Sequence, residues 1–170
     1  MRNLVQDFKV NNSVITKMTL ATYRYGNFVF YKIKIPVVRH ILLLVYKIFD
    51  FIFNQVINGS EIPAQCKIGK GLSLPHGAKG IVIHKDAVLG DNVTLLHQVT
   101  IGSRKDSPPP RIGNNVSVGA GAKIIGDITV GDFSKIGANA VVISDVPPNS
   151  TAVGIPAKIK VKSVVIEQIK

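Results

Sequence analysis

Residues 111–146, RIGNNVSVGAGAKIIGDITVGDFSKIGANAVVISDV, repeat a large aliphatic residue every six positions. The period begins earlier in the chain, and its thirteen anchor positions are Ile62, Ile68, Leu74, Ile83, Leu89, Leu95, Ile101, Ile112, Val118, Ile124, Val130, Ile136 and Val142. An amphipathic α-helix repeats about every 3.6 residues, so a period of six excludes it. A repeat of this length predicts a parallel β-helix whose stacked coils bury a shared core.

The six-residue period is interrupted twice. Leu74 and Ile83 are nine residues apart, which is an insertion of three, and Ile101 and Ile112 are eleven apart, which is an insertion of five. Insertions leave the wall of a solenoid as loops, and loops on a rigid scaffold are where sites are commonly built. The sequence therefore predicts that chemistry is concentrated at these breaks.

Composition limits the class of protein. With 170 residues, of which 46% are hydrophobic, the chain can bury a sizeable core. The net charge of +11 attracts nucleic acid, anionic lipid and phosphorylated ligands alike, but no basic motif interleaved with aromatics supports nucleic acid. A single cysteine, Cys66, excludes an intramolecular disulfide and suits a reducing compartment, so the protein is expected in the cytoplasm. Cys66 falls at an inward repeat position, so its thiol is expected to be buried and structural.

Residues 1–57 lack the six-residue period. Within them, 19–32 and 36–56 are predicted to be helical, with Pro36 opening the second stretch. Two interpretations remain open for this segment: a lid that packs on the β-helix or on another subunit, and a peripheral contact with the inner face of a membrane through residues 37–57. The longest apolar stretch, residues 41–53, is short for a membrane span.

Three segments within residues 61–160 carry a resemblance to a known family. They are IGKGLSLPHGAKGIVIHKDAVLGDNVTLLHQVTIG, IGNNVSVGAGAKIIGDITVG and IGANAVVISDVPPNSTAVGIPAKI. They resemble the serine acetyltransferase group of hexapeptide-repeat acyltransferases, and more closely its short relatives that O-acetylate exopolysaccharides, such as the colanic acid acetyltransferase. The resemblance implies a mainly β fold, with a left-handed parallel β-helix over 58–170 and a short α-helical segment over 1–57. Three hexapeptides would form each triangular coil.

Coils of eighteen residues would bring two histidines together. His76 lies two residues after Leu74, and His97 lies two residues after Leu95. Their separation of twenty-one residues becomes eighteen when the three-residue insertion is removed, so they should occupy one face of neighbouring coils. Adjacent strands are about 4.8 Å apart, which predicts neighbouring imidazoles. His84 and His40 are expected to be surface or packing residues.

The resemblance also implies catalytic roles. The histidine that matches His76 is the general base in serine acetyltransferases, and an acidic residue fifteen positions earlier, here Glu61, orients it. An imidazole with an ordinary pKa near ~6.5 can take a proton from a hydroxyl as it attacks a thioester. His97 is expected either to line the acceptor pocket, where it could donate to the developing oxyanion, or to be a structural residue of the wall.

Acetyl-coenzyme A is the donor that the family implies, bound in a groove between the subunits of a homotrimer. No metal is expected. Small residues would let the pantetheine arm approach the backbone, and lysines would contact the phosphates; the candidates are Gly102, Gly119, Ala120, Lys135, Gly137, Ala138, Lys158 and Lys160.

The acceptor is expected to be a carbohydrate. The charged residues with which serine enzymes bind the amino acid are replaced here by Pro75, Lys85 and the prolines at 108 and 109. A buried charge without a partner is costly, whereas a neutral polyol needs none. The sequence therefore favours a sugar hydroxyl of a bacterial surface polysaccharide or its precursor, with Lys85, Arg104, Arg111 and His97 as substrate-binding residues. Serine O-acetylation in cysteine biosynthesis is the alternative.

Two further classes are weighed against an acyltransferase. A hexapeptide carbonic anhydrase would need three histidines that converge on zinc, and the spacings of His76, His84 and His97 do not favour that arrangement. A non-catalytic β-helix scaffold would explain the repeats, but it would explain neither the breaks nor the pairing of Glu61 with His76.

Overall fold

The computed structural model describes residues 2–105 and 107–161. Helices come first: α1 (Arg2–Val10), α2 (Val14–Lys32) and α3 (Pro36–Phe49), which continues into a π-helical segment, Asp50–Val56. A 3₁₀ turn at Pro75–Ala78 interrupts the strands that follow. The strands are β1 (Lys67–Ile68), β2 (Val82–Ile83), β3 (Val88–Leu89), β4 (Thr94–Leu95), β5 (Thr100–Gly102), β6 (Arg111–Ile112), β7 (Ser117–Val118), β8 (Lys123–Ile125), β9 (Thr129–Val130), β10 (Lys135–Ile136), β11 (Val141–Val142), β12 (Ser150–Val153) and β13 (Lys158–Val161).

The strands form three walls of a left-handed parallel β-helix, as the repeats and the resemblance predicted. The first wall contains β1, β3, β6 and β9, the second contains β4, β7, β10, β12 and β13, and the third contains β2, β5, β8 and β11. All neighbours within the walls pair in parallel except β12 and β13, which form an antiparallel pair. Consecutive strands of the solenoid lie in different walls, so each coil passes through all three.

The strand register shows how the walls accommodate the two insertions that break the period. Ile83 pairs with Ile101 and Val118 with Ile136, which are the eighteen-residue steps expected of one coil. Ile68 pairs with Leu89, twenty-one residues later, so the first insertion leaves the wall without shifting the register. The chain absorbs the second insertion in the same way. The walls therefore stay continuous while residues 75–80, 103–105 and 107–110 project from them.

Every aliphatic anchor of the repeat is buried, with at most 7% of its surface exposed. Burying apolar area at about 25 cal/mol per Å² makes this row of side chains the main stabilising contribution of the solenoid. Cys66 belongs to the same core, and burial raises the pKa of its thiol to about 12. The thiol therefore stays protonated at neutral pH, as a structural residue would.

Polar side chains of α1 and α2 form hydrogen bonds with the backbone groups at the open edge of the first coil. Asp7 is fully buried, bonds Arg24 at 2.7 Å and accepts a hydrogen bond from the Leu72 amide at 3.0 Å. Arg24 also donates to the carbonyls of Ile68 and Gly69. An unpaired strand edge would otherwise expose backbone groups to other chains. The helical segment thus caps the solenoid, which is the lid arrangement considered above.

The second predicted helical stretch begins at Pro36, as the sequence indicated. Helix α1, which is nine residues long, was not predicted. Within the described ranges, no helix is long and apolar enough to cross a membrane.

Candidate active site

The first break in the period forms a strained turn. His76, Gly77 and Ala78 have φ values of 65°, 87° and 64°, which lie in the left-handed region. Glycine adopts this region at little cost, but it is unfavourable for His76 and Ala78. Such strain persists only where the surroundings hold it, and it is concentrated at functional sites.

Residues 58–60 form hydrogen bonds that fix the conformation of this turn. The Gly80 amide donates to the Asn58 carbonyl at 2.8 Å. The buried Ser60 hydroxyl donates to the Ala78 carbonyl and accepts from the Ile81 amide at 2.9 Å. These residues were missed by the sequence analysis, although a signal existed: the same step of twenty-one residues that relates His76 to His97 relates Ser60 to Ile81. Their hydrogen bonds fix the backbone that carries His76.

The two histidines meet as predicted. The rings of His76 and His97 are 5.6 Å apart, centre to centre, and lie nearly perpendicular at 88°. His97 Nδ1 is buried and has no hydrogen-bond partner within the part of the chain that the structure describes. His76 is exposed at the surface of the turn. One imidazole is thus free to exchange a proton with a bound molecule, while the other is partly enclosed beside it.

An open pocket of about 600 Å³ surrounds this pair. Its walls include the amide side chains of Asn58 and Gln98, the ammonium-bearing Lys79 and the turn residue Gly80. Asn58 is anchored because its Nδ2 donates to Thr19 Oγ1 at 2.9 Å and to the Phe53 carbonyl at 2.6 Å. The pocket therefore combines two imidazoles with one cationic and two amide side chains.

The predicted partner of His76, Glu61, lies at the start of the third wall, where it pairs with Val82. Glu61 is exposed, and within the described residues no hydrogen bond or ion pair joins it to His76. It immediately precedes the inward-facing Ile62, so its side chain leaves the wall on the outer side. The role of Glu61 in orienting His76 stays a prediction.

The three cationic residues expected to bind substrate are also separate from the pocket of their own chain. Lys85 and Arg104 lie at the edge between the third and first walls, where Lys85 pairs with Asp86 at 3.0 Å. Arg111 is exposed on β6. His84 follows β2 at that same edge and accepts a hydrogen bond from the Asp86 amide, so the three histidines of the zinc alternative do not converge. These side chains are on a different edge from His76.

The histidine edge is the row of turns between the second and third walls, residues 75–80, 96–98, 119–121 and 137–139. The Gly121 amide bonds the His97 carbonyl, and the Asn139 amide bonds the Ala120 carbonyl. The predicted coenzyme residues Gly119, Ala120, Gly137 and Ala138 thus continue the row that begins with His76 and His97. A Cβ on Gly119 would lie 2.5 Å from the Ala138 nitrogen, so close stacking of coils also requires this glycine.

The remaining coenzyme candidates are divided between walls. Lys135 pairs with Thr151, and Thr151 pairs with Lys160, so the two lysines flank one position of the second wall. Lys158 lies on β13 opposite Val153. Gly102 ends β5 in the third wall, away from the lysines. The structure therefore brings together two of the three lysines in one exposed row.

Comparisons with known proteins agree with this geometry. The bacterial transferase hexapeptide model, which describes six repeats, matches residues 109–144. The Helicobacter pylori (strain ATCC 700392 / 26695) serine acetyltransferase is 52% identical over 107 residues, which is 61% of this chain and 62% of that protein. The Escherichia coli (strain K12) enzyme is 46% identical over 115 residues, which is 64% of this chain and 41% of that protein. The match thus spans less than two thirds of either relative.

Solved structures give the same result. The soybean serine acetyltransferase apoenzyme superposes with a TM-score of 0.79 at 29% identity, over 94% of this chain and 68% of that one. A serine acetyltransferase in complex with CoA superposes with a TM-score of 0.72 at 32% identity, over 87% of this chain and 58% of that one. This chain is similar to serine acetyltransferases. The closer likeness to exopolysaccharide enzymes is not supported.

The expectation of a sugar acceptor is wrong. Relatives that are 40 to 52% identical are serine acetyltransferases, and so are the structural neighbours from soybean and Neisseria gonorrhoeae. The sequence argument looked for charged partners only at positions matched to a family pattern, such as Pro75 and Lys85. The pocket instead has Lys79, Asn58 and Gln98 around the histidines. The folded chain supplies polar groups from positions that the pattern did not consider.

Proposed function

We propose that this chain catalyses the transfer of an acetyl group from acetyl-coenzyme A to the hydroxyl of L-serine. The observation that carries the proposal is the pocket that joins His76 and His97 to Lys79 in a fold similar to serine acetyltransferases. A small hydroxylated zwitterion requires three kinds of group: a side chain that accepts the hydroxyl proton, a cation for the carboxylate, and amide oxygens for the ammonium.

His76 is the proposed general base. Its imidazole takes the proton of the serine hydroxyl as the oxygen forms a bond to the thioester carbon, the carbon–sulfur bond breaks, and the proton passes to the departing thiolate. General-base assistance of this kind contributes about 10²–10⁴-fold. His97 is the proposed donor to the charge that develops on the carbonyl oxygen. Glu61 is the proposed carboxylate that orients His76.

Lys79 is the proposed partner of the serine carboxylate, because it is the cation that lines the pocket. The amide oxygens of Asn58 and Gln98 can accept hydrogen bonds from the ammonium group. Pairing both charges in this way removes the desolvation cost that an unpartnered zwitterion would incur.

Acetyl-coenzyme A is proposed to lie along the histidine edge. The small residues at 119–120 and 137–138 leave room beside the backbone, and Lys135 and Lys160 are candidates for its phosphates. Assembly as a homotrimer, a cytoplasmic location and the division of the chain into units 1–57 and 58–170 remain proposals. The protonated, unpaired Cys66 suits a reducing compartment.

The test measures thiol release from acetyl-coenzyme A with L-serine as acceptor. Release that depends on serine is expected, with a loss of at least about 100-fold for His76→Asn. His84→Ala is the matched control, since that histidine lies at another edge, and it should retain activity. A folded protein that binds coenzyme A but releases no thiol with serine would refute the proposal. Near-normal turnover by His76→Asn would refute the role of the histidine alone.

A further inference from the structure

One face of the α3 helix and of the π-helical segment after it is apolar and exposed. We call it the outer helical face, and its side chains are each 38 to 70% exposed: Val37, Val38, Ile41, Leu44, Val45, Ile48, Phe49, Phe51, Ile52 and Val56. Soluble monomers rarely expose contiguous apolar patches of this kind without a function. This face plays no part in the pocket around His76.

The core of the chain does not need these side chains. The opposite face of the same helices makes the packing contacts, where Tyr46 and Asn54 are buried and both donate to Asp50 Oδ1, at 3.2 and 2.6 Å. A surface helix normally has polar residues opposite its buried stripe. The outer side of this helical segment is apolar instead, so it is suited to a second apolar environment.

The charges around the outer helical face indicate what that environment is. Residues 31–57 contain Lys32, Lys34, Arg39 and Lys47 but only one acid, Asp50. Asp50 is occupied by hydrogen bonds from Tyr46, Asn54 and Gln55. Two copies of the chain joined through this face would bring like charges together, whereas anionic lipid headgroups would neutralise them.

We propose that the outer helical face binds the surface of an anionic membrane. The apolar side chains would enter the boundary between headgroups and acyl chains while the lysines contact lipid phosphates, with the helix lying in the plane of the membrane. None of the described helices can span a bilayer, and the inner side of α3 stays packed on the protein. The proposal does not depend on the acceptor of the acetyl group.

The experiment is flotation of the full chain with vesicles of phosphatidylcholine alone or of phosphatidylcholine with phosphatidylglycerol. Binding is expected only to the vesicles that contain phosphatidylglycerol, and it should weaken in high salt because salt screens the lysines. The double variant Leu44→Gln, Ile48→Gln removes two apolar anchors and should reduce binding roughly tenfold or more. Val14→Gln, Met18→Gln is the matched control, with exposed apolar residues of α2 outside the face.

Sedimentation of the same proteins separates the alternatives. A wild-type chain that does not float with anionic vesicles, or floats equally with neutral ones, would overturn the proposal. So would a Leu44, Ile48 variant that changes the mass of the assembly while lipid binding is unaltered, because the face would then join copies of the chain. Serine acetylation measured without vesicles reports on the proposed function separately.

Discussion

At the scale of single residues, the turn after Leu74 shows how backbone strain is maintained at a site. The left-handed conformation costs roughly 1–2 kcal/mol for each non-glycine residue, and here it includes His76 and Ala78. The Ser60 hydroxyl compensates by bonding both the Ala78 carbonyl and the Ile81 amide. One buried side chain therefore links the stability of the first coil to the position of the proposed base.

Replacing Ser60 with Ala should affect both properties. The Ala78 carbonyl and the Ile81 amide lose their partner, so the free energy of unfolding should fall by about 1–3 kcal/mol. The turn should also loosen, and kcat with serine should fall by about tenfold or more, because small displacements of a catalytic group are costly. Denaturant unfolding and steady-state kinetics measure the two effects.

Ser150→Ala is the control for this variant. Ser150 is equally buried and its hydroxyl donates to the Pro148 carbonyl at 3.2 Å, at the far end of the solenoid. It should lose stability without losing kcat. Equal kcat values for the two variants would show that Ser60 has a structural role only.

At the scale of elements, the helices and the solenoid depend on each other. The first coil has no preceding coil to pair with, and side chains of the helical segment occupy its open edge. Asn11 Nδ2 donates to the Leu72 carbonyl, and Asn11 Oδ1 accepts from the Leu74 amide, at 2.7 and 2.8 Å. The Tyr23 hydroxyl donates to the Cys66 carbonyl at 2.8 Å, and its burial raises the pKa of that phenol. A repeat protein needs such a cap because its terminal repeat differs from the interior ones.

Asp7→Ala should destabilise the whole chain. The substitution leaves Arg24 without its carboxylate and the Leu72 amide without an acceptor, so a loss of about 3–5 kcal/mol is expected. Asp91→Ala is the matched control. Asp91 also accepts from a backbone amide of the first coil, that of Lys70 at 3.0 Å, but its side chain is 42% exposed. Its removal should cost less than about 1 kcal/mol. Similar midpoints for both variants in urea would contradict the capping role.

At the scale of the whole molecule, the three walls present flat surfaces to solvent. The apolar side chains of Val82 and Ile143 are exposed on the third wall. Their exposure does not stabilise a solenoid on its own. Lys85 and Arg104 lie on a different edge from His76 within one chain. A threefold assembly could bring that edge of one chain near the histidine edge of the next, since closed rings use two different surfaces of each subunit.

We expect sedimentation equilibrium to give a species of about three times the 18.3 kDa chain mass. Thiol release per chain should fall when dilution dissociates this species, because each proposed coenzyme groove needs two chains. An active monomer with constant specific activity across dilution would contradict the assembly.

The six-residue period was enough to predict a solenoid with an inward row of anchors. A period of six has one regular solution in which every anchor faces inward, and all thirteen anchors are buried. Once the coil length was known from the resemblance, simple subtraction placed His76 beside His97. In a regular solenoid, residues one coil length apart occupy equivalent positions, so the place of a residue in its coil follows from its position in the sequence.

The surroundings of that pair depend on packing between parts of the chain that do not follow the repeat. Lys79 and Asn58 reach the pocket because a three-residue insertion leaves the wall and residues 58–60 pass beneath it, and neither feature follows the period. Asp7 of α1 and Asn11, which follows that helix, accept hydrogen bonds from residues more than sixty positions away. Contacts of this kind join parts of the chain that share no repeat, so their geometry is set only when the coils and helices pack together.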